Sequence, residues 1–272
     1  MTAPVLVLTL PAAPDAQASM TALRMRQRVS RLHPHITTAA AFAAPDGRFA
    51  APKVRPEWEE LVLVPLDLTH LLAATGQVDR LAERMSADHP RLRVTVARPI
   101  GPAPALLNLV DSRLRLAAHR AHCQEMDALV LSAPDPGDQR GAAMLSRMSR
   151  LWSQHHHLPA HLATNTNGAG DIAEVVGGLR REGRRHIAVG SLWVCQDSSA
   201  NDHARRALAA GAEVVASAVG DDPTLAAWAF ERYCSAALGM VSEPDDEPRA
   251  DRGTGDDDPK VVADEDGTAP GA

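Results

Sequence analysis

The chain alternates short apolar runs with longer stretches in which apolar and polar residues are mixed. Residues 5–9 form an unbroken apolar run closed by Pro11, the pattern of a strand buried on both faces. Over 15–32, Met20, Leu23, Val29 and Leu32 recur at helical spacing with arginines between them. The same reasoning predicts strands over 35–43, 61–68 and 91–97, and helices over 70–87 and 104–119. Residues 44–57 gather Pro45, Pro52, Pro56 and Gly47 and should form a loop, with at most a turn at 56–60. In the second half, strands are expected over 128–132, 160–164, 186–194 and 214–219. Helices should cover 138–156, 172–181, 202–210 and 224–238. Strands alternating with helices imply parallel βαβ units in a doubly wound α/β fold.

Three blocks of the first half return in the second in the same order. VLVLTLPAAPD (5–15) aligns with ALVLSAPDPGD (128–138), and LVLVPLDL (61–68) with IAVGSLWV (187–194). VTVARPIGPAPALLNLV (94–110) aligns with VVASAVGDDPTLAAWAF (214–230) once one residue of the first block is skipped, which sets Gly101 on Gly220 and Pro104 on Pro223. An internal duplication follows. Two similar α/β domains are expected, 1–122 and 123–240, with a cleft between them and a disordered acidic tail over 241–272.

Charge sharpens the boundary of that tail. The chain carries a formal net charge of −6, but residues 243–266 alone hold eleven acidic and three basic residues. The remainder is close to neutral and carries no nucleic-acid footprint. Aromatic residues are 3% of the chain, too few for a base-stacking platform. Cys123, Cys195 and Cys234 are widely separated, so neither a disulfide framework nor a zinc ribbon is indicated. No apolar run is long enough to span a bilayer and no basic n-region opens the chain, so a cytoplasmic protein without membrane contact is expected.

These blocks resemble the sirohydrochlorin cobaltochelatase and ferrochelatase family, the class II chelatases of CbiX type. The resemblance covers about residues 4–236. It rests on the VPL strand (64–66), the Gly-x-x-Pro helix starts at Gly101 and Gly220, the GGLRREGRRHIAV stretch (177–189) and Glu-Arg-Tyr at 231–233. It implies a lyase of cobalamin or siroheme biosynthesis that inserts Co²⁺ or Fe²⁺, as substrate, into sirohydrochlorin. In that family a histidine ends the first strand and a second follows the third. An imidazole binds borderline metals and takes up protons near neutrality, so both positions serve metal insertion.

Here the first position reads Thr9-Leu10-Pro11. The second falls on Ala73 without a gap or on Gln77 with one. His70, three residues away, and Asp67 are the local substitutes. They form the candidate metal pair, with His70 and Thr9 as the candidate catalytic residues. An alternative reading is a non-catalytic tetrapyrrole- or metal-binding protein derived from the family, and the acidic tail adds a possible basic protein partner.

Other clusters read as structural. His155-His156-His157, with His161 beyond Pro159, reads as an exposed helix end, and His33-Pro-His35 as a turn. Gly168-Ala-Gly170-Asp171 matches a loose dinucleotide pattern but follows the wrong strand, and Asp171 as a helix N-cap is the better account. Cys195 has no basic partner nearby and reads as buried and inert. Arg98, Arg113, Arg147, Arg180 and Arg184 are candidates for binding substrate carboxylates.

Overall fold

Strand formation follows the apolar runs closely. In the computed structural model, which describes residues 3–70, 76–164 and 170–242, four runs are buried almost end to end: β1 (Val5–Leu10), β4 (Glu60–Pro65), β6 (Ala128–Ala133) and β8 (Ile187–Ser191). Around them lie α1 (Ala16–Leu32), β2 (Thr38–Ala43), β3 (Phe49–Ala50), α2 (Gly76–Asp88), β5 (Arg93–Val96) and α3 (Leu106–Arg120) in the first half. The second half adds α4 (Gln139–His156), β7 (Ala160–Thr164), α5 (Ile172–Arg181), α6 (Ser198–Ala209), β9 (Val214–Val215) and α7 (Pro223–Ser242). Helix starts are written locally. Asp15, Asp138, Asp171 and Asp197 each accept a hydrogen bond from a backbone N–H of the first turn of the helix that follows.

The two sheets share a strand order. The first runs β3-β2-β1-β4-β5 and the second β7-β6-β8-β9. Every pairing is parallel except β2–β3. Backbone punctuation corresponds as well: Leu66 N–H donates to the Thr9 carbonyl and Leu192 N–H to that of Ser132, each at 2.8 Å. Gly101 and Gly220 both hold positive φ, 76° and 69°.

Element boundaries depart from the sequence expectations in several places, β4 and β8 ending early at Pro65 and Ser191. The two-residue β3 pairs within the predicted loop. β9 is shorter than the expected strand over 214–219. α6 starts four residues early because Asp197 caps it, and α7 runs two residues into the predicted tail. The second helix, expected over 70–87, is described from Gly76 and does not include His70; residues 71–75 lie outside the described residues, as do residues 243–272 of the tail.

The last helix of each half packs against the other half's sheet. On α3, Asp111 accepts from Trp152 Nε1 of α4 at 2.7 Å, and Arg113 donates to the Val219 carbonyl at 2.7 Å. Gly190 of β8 makes this approach possible: a Cβ there would stand 2.5 Å from Val110 of α3 and 2.6 Å from Trp152. Trp152 is fully buried at this seam, a contribution of roughly 4–6 kcal/mol for a ring of its size. Reciprocally, on α7 Tyr233 donates to the Pro4 carbonyl at 2.7 Å, and Phe230 stacks on His33 with centroids 3.4 Å apart. One apolar core consequently runs through both sheets.

Candidate functional site

The carboxyl ends of both sets of strands face a shared cavity of about 740 Å³. Ligands of parallel sheets bind at such strand ends, and the volume lies in the range of small-molecule sites. The segments 11–13, 44–48 and 67–70 line it from the first half, and 134–138 and 192–199 from the second.

Asp67 and His70 sit at its wall. His70 Nδ1 lies 2.7 Å from Asp67 Oδ2. Asp67 Oδ1 accepts from Thr69 N–H at 2.8 Å, Thr69 Oγ1 at 3.1 Å and His70 N–H at 3.1 Å. Both carboxylate oxygens are thus occupied within the turn, and Asp67, 5% exposed at the cavity wall, orients His70. Burial alone would push the Asp67 carboxyl up, but His70 and the Thr69 and His70 N–H groups outweigh it and hold it below the usual range. His70 is correspondingly raised, chiefly by its hydrogen bond to Asp67, against the opposing effect of burial.

A proton held on Nδ1 by Asp67 leaves the Nε2 lone pair for the cavity, the arrangement of metal-binding histidines generally. Nε2 carries no hydrogen bond among the described residues. It points at Gly137, where an added Cβ would stand 2.7 Å away. Gly137 has φ +66°, so glycine is required there both for the turn and for the ring's approach. The carboxylates flanking it, Asp138 and Asp135, lie close enough to raise His70 further. Both line the cavity. They stand in the quoted repeat block APDPGD, yet nothing in the sequence shows that they meet His70.

Thr9 does not join this group. It is 1% exposed, and its hydroxyl turns back to the Val7 carbonyl at 3.4 Å. Thr9 is not among the residues that line the cavity with His70. Gln77 reaches the cavity edge, whereas Ala73 lies outside the described residues. The candidate arginines also fall elsewhere. Arg113, Arg180 and Arg184 donate to backbone carbonyls, and the cations on the described cavity wall are Arg48 and Arg80. Cys195 is 4% exposed, its thiol pushed up to about 12 by burial first of all. This matches the inert reading. Gly168 is outside the described residues, and Asp171 caps α5 through the Ala173 N–H at 2.8 Å.

At the corresponding strand end of the second half the chemistry is sealed. Ser132, aligned with Thr9, accepts from Trp193 Nε1 at 3.1 Å and lies 2.7 Å from His203 Nδ1. His203 is 3% exposed and lowered by burial first, then by Arg206. Its Nε2 is buried without a hydrogen bond of good geometry, although the Thr164 backbone carbonyl favours its charged form. No sequence pattern singled out His203.

Two largely parallel sheets whose central strands follow the same order face one cavity, which defines a two-sheet α/β protein. Residues 12–117 match the family model described as CbiX. The structure of SirB from Bacillus subtilis with Fe3+ superposes with a TM-score of 0.64 at 14% identity, covering 89% of this chain and 98% of that one. The sirohydrochlorin chelatase SirB from Bacillus subtilis subspecies spizizenii, in complex with cobalt, gives 0.62 at 12% over the same shares. CbiX, the terminal enzyme for biosynthesis of siroheme in denitrifying bacteria, gives 0.57 at 19%, over 86% of this chain and 99% of that one. Among curated protein sequences none matches this chain. By sequence the resemblance to CbiX is confined to residues 12–117, and over 86–89% of its length the chain shares the fold of these three structures. Among the described residues, no helix is long and apolar enough to cross a membrane.

Proposed function

We propose that the chain is a chelatase of carboxylated tetrapyrroles, with sirohydrochlorin as substrate and Co²⁺ or Fe²⁺ as the metal delivered. The observation that carries this reading is the His70 imidazole, held through Nδ1 by Asp67 and lining, beside Gly137, a cavity to which both halves contribute at their strand ends. A tandem pair of modules, 1–122 and 123–240, builds the cavity, and the metal meets His70 opposite Asp135 and Asp138. Imidazole with carboxylate suits borderline divalent ions.

Arg80 supplies a bidentate donor for the macrocycle's carboxylates, and Arg48, whose fork is held by Asp46, adds positive charge beside it. Insertion exchanges one divalent ion for two pyrrole N–H protons. Once the metal has passed to the macrocycle, Nε2 is open to accept one of these protons. Asp67 stabilises the resulting imidazolium, which is the direction in which His70 is already shifted. The second proton goes to solvent.

The test is to mix protein, sirohydrochlorin and Co²⁺ and follow the macrocycle's absorption. Turnover above the buffer rate that is lost in His70→Ala supports the reading. Binding of sirohydrochlorin without acceleration would leave a carrier of the tetrapyrrole rather than an enzyme, and neither binding nor acceleration would remove the proposal.

A further inference from the structure

Away from the cleft, α3 and the end of α4 bring three ligating side chains together. Asp111 Oδ1 lies 2.9 Å from His156 Nε2, and one ligand atom from each of Asp111, His155 and His156 falls within 4.8 Å of the others. The His155 and His156 rings stand edge to face with centroids 4.9 Å apart. We propose that Asp111, His155 and His156 form a second metal site, for a borderline divalent ion such as Zn²⁺ or Co²⁺, that fastens α3 of the first half to α4 of the second.

Three features support this. First, metal–ligand bonds of about 2.0–2.2 Å in a tetrahedral site hold ligand atoms roughly 3.4 Å apart. The cluster therefore closes by small rotations of two side chains. Second, Asp111 is a carboxylate only 5% exposed, and a buried charge is costly unless paired. Among the described residues no arginine or lysine pairs with it. Arg113 donates to the Val219 carbonyl, and Arg115 turns to the backbone carbonyl of Asp111 rather than its side chain. Its partners are Trp152 Nε1 and His156, a neutral donor and an imidazole. Third, the Trp152 donation at 2.7 Å fixes the carboxylate's orientation as an outer-sphere partner does. Both histidines are exposed, so the metal has an entry path and a place for water.

The sequence did not suggest this site, because adjacent histidines on a helix diverge and the third ligand arrives from a helix some forty residues earlier. The metal would act as a clamp on the exchanged helix, stabilising the folded chain by mass action.

The test uses the full chain carrying His70→Ala, or His70→Gln if the alanine variant does not fold, so that the cleft imidazole plays no part. One equivalent of Co²⁺ at micromolar concentration should give a visible d–d band and raise Tm. On the same background His155→Ala should abolish both while leaving the metal-free Tm unchanged. Asp111→Asn, which keeps an acceptor for Trp152, should weaken binding at least about tenfold. No band at stoichiometric metal, or a band and Tm rise that survive His155→Ala, would overturn the proposal.

Discussion

The two halves treat the same strand end in opposite ways. Asp67 and Trp193 occupy the same place in the repeated blocks, as do Thr9 and Ser132. In the first half the acid turns inward to hold His70 by Nδ1 and leaves Nε2 to the cavity. In the second, Trp193 covers the strand end, Ser132 bridges it to His203, and the imidazole is shut in the core. The result is one histidine raised by a carboxylate and one lowered by burial. A parallel sheet offers the same strand-end position twice. What stands there, an acid or an indole, decides between an imidazole at the cavity wall and one buried as a strut.

The comparison can be broken at three points. The largest effect belongs to Trp193→Ala, which opens the sealed end. A loss of about 3–5 kcal/mol in urea unfolding is expected, and a loss below about 1 kcal/mol would mean that Trp193 is no seal. Next comes Asp67→Asn, which keeps the backbone contacts but leaves the His70 tautomer unfixed. Affinity for Co²⁺ in the cleft, read by calorimetry, should fall about 10–100-fold, and an unchanged value would remove Asp67 from its orienting role.

The smallest effect is in pH dependence, where the signs oppose. His70 is raised above 6.5, so its contribution to metal-free stability is complete below that value and is lost as pH rises through the folded-state pKa. His203 is lowered below 6.5, so its contribution is complete above 6.5 and is lost as pH falls toward the folded-state pKa. Each slope stays under about 1.4 kcal/mol per pH unit. His70→Gln should flatten the alkaline side and His203→Gln the acid side of the urea-midpoint profile. Flattening on the wrong side in either variant would refute the assignment.

Much of the scaffold was legible because it is written in local patterns. Runs such as Leu61–Val64 and Ala128–Leu131 declare strands buried on both faces, and Asp15, Asp138 and Asp171 announce helix starts. The pairing of Asp67 with His70 was also legible, since three residues separate them in one turn. The burial of Thr9 was not legible, because strand position says where a residue sits and not which way its hydroxyl turns. The exchange of α3 and α7 escaped prediction for a related reason: apolar helix faces show that burial occurs but not against which sheet. Contacts between halves were equally hidden, among them Asp135 and Asp138 opposite His70 and Asp111 beside His156. Each depends on how two βαβ units dock, which no spacing along the chain encodes.

The central claim, that the first half's imidazole is the one offered to a metal, is tested most directly by imidazole ¹⁵N NMR during a Zn²⁺ titration. The Nε2 resonance of His70 should move with the first additions while both resonances of His203 stay fixed. A stationary His70, or a response centred on His203, would contradict it.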